Sequence, residues 1–309
     1  MSSSPRKTRK PKSVESKRPA GPKNPVSKSV GSKNSAGPTV RFWGVRGSIP
    51  SPGPATAKYG GNTPCVEVRC GDELLVFDLG TGVRALGEKY GPAVTASIFV
   101  SHYHYDHLQG LPFFTPMFNP KSKVVFYGPS RGGRTVKDVI VAQMQQPFFP
   151  VTAEMVFRAD VDYRAVAEGD RILLGDAVVT ALEVKHPGGN LAYRVHYRGR
   201  SVVYCTDAEH GSERDAKLID FARGADLLIF DAMYSEDEYK GVFGPPKIGW
   251  GHSTWEQAIA TAEGAGVGQL CLFHHDPTRN DDALDKLLAK VRKHRKEAVA
   301  AAEGQVIQL

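Results

Sequence analysis

Three of the chain's ten histidines fall within six residues, in His102-Tyr103-His104-Tyr105-Asp106-His107. Imidazole and carboxylate suit Zn²⁺, Mn²⁺ or Fe, so this spacing reads as a metal site. In an extended segment, side chains two apart face the same way, which lets His102 and His104 grip one ion. If the chain then turns, Asp106 and His107 swing to the other side and reach a second. The apolar stretch Ser97–Ser101 runs directly into the cluster, so a strand end positions the donors. The bland alternative is a polar loop that happens to hold three histidines; their density and the added aspartate weigh against it.

The elements around this cluster come as strands in groups, with helices between and after them. Thr39–Val45, Cys65–Cys70, Glu73–Asp78 and Lys123–Tyr127 read as strands, and Gly80-Thr81-Gly82 opens a helix through about Lys89. A helix is expected over Arg134–Gln146, stopped by Pro147. Further strands follow at Ala177–Val184, Leu191–Tyr197, Ser201–Cys205, Asp226–Phe230 and Gln269–Phe273. Helices are expected near Glu213–Arg223, from Ser253, and from Asp281 to about Ala301. Two packed mixed sheets flanked by helices, a four-layer αββα arrangement of the α/β class, fit this order in one domain spanning residues 39–309.

The net charge of +7 divides unevenly. Residues 1–38 hold ten of the forty basic residues and one of the thirty-three acids, so they carry +9 and the remainder −2. That Lys-, Ser- and Pro-rich tail has almost no large apolar residue to offset its ordering entropy and is expected to be disordered. It serves either as a weak, salt-sensitive nucleic-acid tether or as a solvated extension. No run of about 18 apolar residues is present, so no membrane span is expected. The start lacks an apolar stretch, and the four cysteines show no CxxC spacing; a cytoplasmic protein with reduced, buried thiols is the reading. Cys65 and Cys70, five apart in one strand, should face opposite sides.

From about Val40 to Leu309 the chain resembles the metallo-β-lactamase superfamily, whose next ligands follow in order. The resemblance implies His186 in Lys185-His186-Pro187-Gly188-Gly189 as third His ligand and Asp207 in Cys205-Thr206-Asp207 as the bridging carboxylate. It implies His274 in Phe273-His274-His275 as the last ligand; adjacent residues point apart, so only one of that pair should ligate. His102, His104 and His186 would then hold one ion and Asp106, His107 and His274 the other, most simply zinc, with manganese or iron also suited. Asp231-Ala232-Met233-Tyr234 and Gly251-His252-Ser253-Thr254 resemble the phosphodiesterase branch that contains tRNase Z. There the acid and the histidine together protonate the leaving oxygen, and Asp106 or Asp207 orients the attacking water. Ser253-Thr254-Trp255-Glu256 reads as a capping box, which leaves His252 on a loop just ahead of a helix.

Two departures bear on substrate. The tRNase Z family carries a long arm between the third His ligand and the bridging Asp, whereas twenty residues separate His186 from Asp207 here. The body is also nearly neutral. Both favour a small phosphodiester, such as a 3′,5′-cyclic nucleotide. A ribonuclease of the tRNase Z type, and a nucleic-acid-binding protein with a vestigial site, are the alternatives. The opening from Val40 to Pro50, with Tyr59-Gly60-Gly61-Asn62-Thr63-Pro64, resembles bacterial enzymes of the same branch, and relatives are often homodimers. Phe113-Phe114 and Phe148-Phe149 offer aromatic faces for a base or for the core. Asp78 either supports the ligands or caps a turn. His210 lies near enough in sequence to Asp207 to touch substrate; His196 and His294 read as surface residues.

Overall fold

Continuous apolar runs along the inner strands, buried on both faces, build two sheets that pack face to face with helices outside. The computed structural model describes Met1 and residues 37–309; the basic segment, residues 2–36, lies outside the described residues. The first sheet contains β1 (Thr39–Gly44), β2 (Cys65–Cys70), β3 (Glu73–Phe77), β4 (Thr95–Phe99), β5 (Lys123–Gly128) and β6 (Asp160–Ala165). The second contains β7 (Arg171–Leu174), β8 (Ala177–Val184), β9 (Asn190–Tyr197), β10 (Arg200–Cys205), β11 (Leu227–Asp231), β12 (Gln269–Phe273) and β13 (Val299–Ala300). A last strand, β14 (Val306–Gln308), returns to the edge of the first sheet and pairs antiparallel with β1, Thr39 opposite Gln308.

Leu75, Phe77 and Phe99 of the first sheet meet Leu227, Ile229 and Phe273 of the second in the central core. Their neighbours Leu74, Val76 and Ile98 point the other way, onto α1 (Val83–Tyr90) and α2 (Val136–Ala142). Leu228, Phe230 and Leu272 face α4 (Arg214–Ala222), α6 (Trp255–Ala265) and α7 (Asp281–His294). Short helices α3 (Ala153–Val156) and α5 (Glu236–Lys240) complete the set. The result is the four-layer αββα order expected from the sequence. Cys65 and Cys70 fall on opposite faces of β2, and all four cysteines are free and buried. No helix among the described residues is long and apolar enough to cross a membrane.

Two helices are shorter than the sequence suggests. The expected helix from Arg134 begins at Val136, because Thr135 takes the cap and its hydroxyl accepts from the Asp138 amide. The final helix ends at His294 rather than near Ala301. Residues 295–301 are composed like a helix, yet Val299–Ala300 pairs with β12 and Ala298 and Ala301 are fully buried. Burial through a strand pairing outweighs the modest helix preference of Lys, Glu and Ala.

Candidate metal centre

Most of the donors follow the carboxyl ends of parallel strands, β4, β10 and β12, the usual place for a site in an α/β sheet, while His186 follows β8, which pairs antiparallel with β7 and β9. After β4 the chain stays extended through His104 (φ −70°, ψ 154°), then tightens into a 3₁₀ turn at Tyr105–His107. That change of period sends the two halves of the cluster to different places. His102 and His104 meet His186, with ring centroids 4.6 to 4.8 Å apart. Asp106 and His107 meet His274: Asp106 Oδ2 is 3.3 Å from His107 Nε2 and 3.2 Å from His274 Nε2. Asp207 stands between the groups. Its Oδ2 lies 3.7 Å from His102 Nε2, and its Oδ1 3.3 Å from His107 Nε2 and 3.2 Å from His274 Nε2.

Each group's ligand atoms lie within 4.8 Å of one another. His102 Nε2 and His107 Nε2 are buried and lack a hydrogen-bond partner, a costly arrangement that a cation between them and the carboxylates would relieve. The opposite ring nitrogens are engaged. His186 Nδ1 donates to the Gly251 carbonyl at 2.8 Å, and His107 Nδ1 faces Asp78 Oδ2 at 2.7 Å. Ser101 Oγ gives its proton to Asp78 and so accepts from His102 Nδ1 at 3.1 Å. These contacts fix the tautomers that leave Nε2 as an electron-pair donor. The donor set therefore fits two divalent ions, and His274, not His275, points toward the other donors. His275 turns away to the Ala301 carbonyl at 2.8 Å.

Electrostatics agree with that fit. Burial pushes His102, His104 and His186 below the usual histidine range, so they are neutral. Burial opposes ionisation of Asp106 and Asp207, but the neighbouring His107 and His274 hold both well below the usual carboxylate range. Burial also opposes a charge on His107, yet Asp106, Asp207 and Asp78 outweigh it and raise its pKa. The pocket is built to stabilise positive charge.

His252 lies beside the second group. Its Nδ1 is 2.9 Å from Asp231 Oδ2 and 3.8 Å from Asp207 Oδ2, and its ring stacks 5.0 Å from that of His274. Asp231 continues the face of Leu227 and Ile229, which aims it into the gap between the sheets; its other oxygen accepts from the Met233 amide at 3.0 Å. Burial disfavours the charged ring, but Asp231 prevails and holds its pKa up at about 9. The cap of α6 is one residue later than the sequence suggests: Thr254 accepts from the Gln257 amide.

Asp78 proves to be a hub. It accepts from the Ser101 amide and hydroxyl, the Tyr204 hydroxyl and His107, all at 2.7 Å. Ser48 N donates to Asp106 Oδ2 at 2.7 Å, so the Val40–Pro50 segment steadies a donor. Among the described residues, Ser48, Asp78, Arg198, Asp207 and His274 are the non-glycine positions with positive φ, and four of the five belong to this site. Such backbone costs on the order of 1 kcal/mol or more at each and collects where geometry matters.

His210 is outside the metal-capable groups. It lies 3.3 Å from Ser253 Oγ and 3.6 Å from Glu236, with its ring on Tyr239. His196 and His294 are exposed. Phe114 is core, whereas Phe113 is exposed with its ring 6.2 Å from Phe149. A cavity of about 300 Å³ opens beside His102 and His104, lined by Tyr103, Arg131 and Pro187. Glu209 escaped the sequence reading. It is buried and accepts from Tyr239 Oη and Gly249 N at 2.7 Å and from Gly251 N at 3.0 Å.

A family model, the β-lactamase superfamily domain, matches residues 76–275, well over half of the chain. The chain belongs to the metallo-β-lactamase superfamily. The superfamily's fold is seen in two solved relatives. The metallo-β-lactamase fold protein YhfI of Bacillus subtilis is 21% identical, with TM-score 0.65 over 88% of this chain and 99% of that one. The short form of human tRNase Z is 22% identical, with TM-score 0.61 over 87% and 98%. In sequence, ribonuclease Z of Haloarcula marismortui is 27% identical over 87% of this chain and 93% of its own.

Proposed function

We propose that this superfamily member is a metal-dependent hydrolase of phosphodiesters. The observation that carries the reading is the Asp231–His252 pair set against the shared Asp207 cluster. His102, His104 and His186 would hold one ion, Asp106, His107 and His274 the other, and Asp207 both; zinc fits these donors. When bound, such ions supply Lewis-acid charge and an acidified water. The protein's own contribution is a proton. His252 Nδ1 is committed to Asp231, so Nε2 is the atom free to protonate a departing alkoxide. Ester or β-lactam hydrolysis would leave this pair idle, and the complete donor set weighs against a vestigial site.

For the substrate, relatives named ribonuclease Z extend over most of the chain and support an RNA strand. The second reading, a small phosphodiester such as a 3′,5′-cyclic nucleotide, is favoured by one feature. Between His186 and Asp207 the chain makes only the β9–β10 hairpin, turning at Arg198-Gly199 with no inserted arm. Elemental analysis with a panel of precursor tRNA, cyclic purine and pyrimidine nucleotides and an aryl phosphodiester separates them. Hydrolysis of none would overturn the phosphodiesterase reading.

A further inference from the structure

We propose that Trp250 is a stacking platform for a nucleobase of the substrate, held beside the proton donor of the reaction. The inference rests on the phosphodiesterase reading and adds the class of group recognised: a purine or pyrimidine next to the scissile phosphate.

Trp250 is 51% exposed, an unusual state for an indole. Its setting is not a loose loop. It sits between Gly249 (φ 85°) and Gly251 (φ 89°), and one buried carboxylate, Glu209, takes the amide protons of both. Glu209 is anchored in turn by Tyr239 and by Lys185 Nζ at 3.3 Å. The Trp250 amide donates to the Lys247 carbonyl at 3.1 Å, closing the turn. The ring is thus displayed on a backbone tied down at both flanks, so little freedom remains to be lost on binding.

The same clamp ties the residue's backbone to the chemistry. Gly251 gives its carbonyl to His186, and the next residue is His252. Trp250 thus stands two residues ahead of the proton donor and next to the residue whose carbonyl holds His186. Lys247 Nζ lies over one face of the indole, 4.0 Å from its centroid, so a base stacks on the opposite face with a cation at the same spot. An aromatic face with an adjoining positive charge matches a base with its phosphate, and stacking of this kind tolerates any base.

The test uses the full chain and measures binding of adenosine and uridine 5′-monophosphates against ribose 5-phosphate by titration calorimetry. Trp250→Ala should weaken both nucleotides by about tenfold or more and leave ribose 5-phosphate unchanged. Trp250→Phe should restore most of the affinity, with metal content and thermal midpoint equal to the parent. Equal nucleotide affinity in parent and Trp250→Ala would overturn the proposal. So would parent binding of nucleotides no tighter than ribose 5-phosphate, or an effect confined to self-association in sedimentation. Base-dependent binding without hydrolysis of any phosphodiester would sink the enzymatic reading and leave the platform. Hydrolysis without base dependence would do the reverse.

Discussion

Asp231 Oδ2 lies 2.9 Å from His252 Nδ1, and the same His252 nitrogen stands 3.8 Å from Asp207 Oδ2. One ring thus faces a carboxylate that has no place among the two His/Asp groups and one that joins them. Asp207, Asp231, His252 and His274 could themselves gather round an ion, so the ring's role must be separated from ligation by measurement.

His252→Ala should lower kcat by roughly 10²- to 10⁴-fold, the usual worth of a positioned proton donor, with metal content unchanged. Asp231→Asn should cost less, since it removes the orienting charge and keeps the ring. Elemental analysis alongside turnover decides. Loss of metal in the alanine variant would make His252 a ligand instead.

Asp207 faces both donor groups, so Asp207→Ala should lose bound metal at both positions rather than one. Chelation of the parent protein should lower its thermal midpoint, by about 2–4 °C for each kcal/mol of binding removed. An unchanged midpoint after chelation would mean that the donors hold no ion of consequence for stability.

Gly249 and Gly251 share nearly the same positive φ but differ in surroundings. A Cβ on Gly249 meets nothing within 4 Å, whereas one on Gly251 would lie 2.1 Å from His186 Nδ1. Gly249→Ala should cost only the left-handed backbone, about 1–2 kcal/mol. Gly251→Ala should cost more and also weaken metal binding, because His186 must move. Urea unfolding with metal titration distinguishes the pair.

Asp78 touches no substrate, but it holds His107 and, through Ser101, His102. Asp78→Asn should reduce metal affinity by about 10- to 100-fold, the scale seen when a group behind a ligand is changed. Competition with a chromophoric chelator would read this directly, and an unchanged affinity would make Asp78 a fold residue only.

The candidate site was legible where its residues are contiguous. His102 to His107 carry two periods in six residues, and the extended-then-turned backbone is what those periods require. His186, Asp207 and His274 could be located because each follows an apolar strand and a known order. Glu209 and the Asp78 hub could not. Glu209 works through backbone amides forty residues away, and Tyr204 reaches Asp78 across 126 residues, contacts with no local pattern. The last helix was overextended for the same reason, since the partner that converts Val299–Ala300 into a strand is β12.

The chain passes from the first sheet to the second at residues 166–170 and comes back between β13 and β14. Residues 167–170 are exposed, so a protease could nick the first crossing. The two fragments would share no covalent link. They would still be clasped where Val40 opposes Ile307 and Arg41 opposes Val306, and each would carry part of the donor set. The fold thus defines a natural split point: two separately made pieces, inert alone, whose reunion could be followed by the return of catalysis.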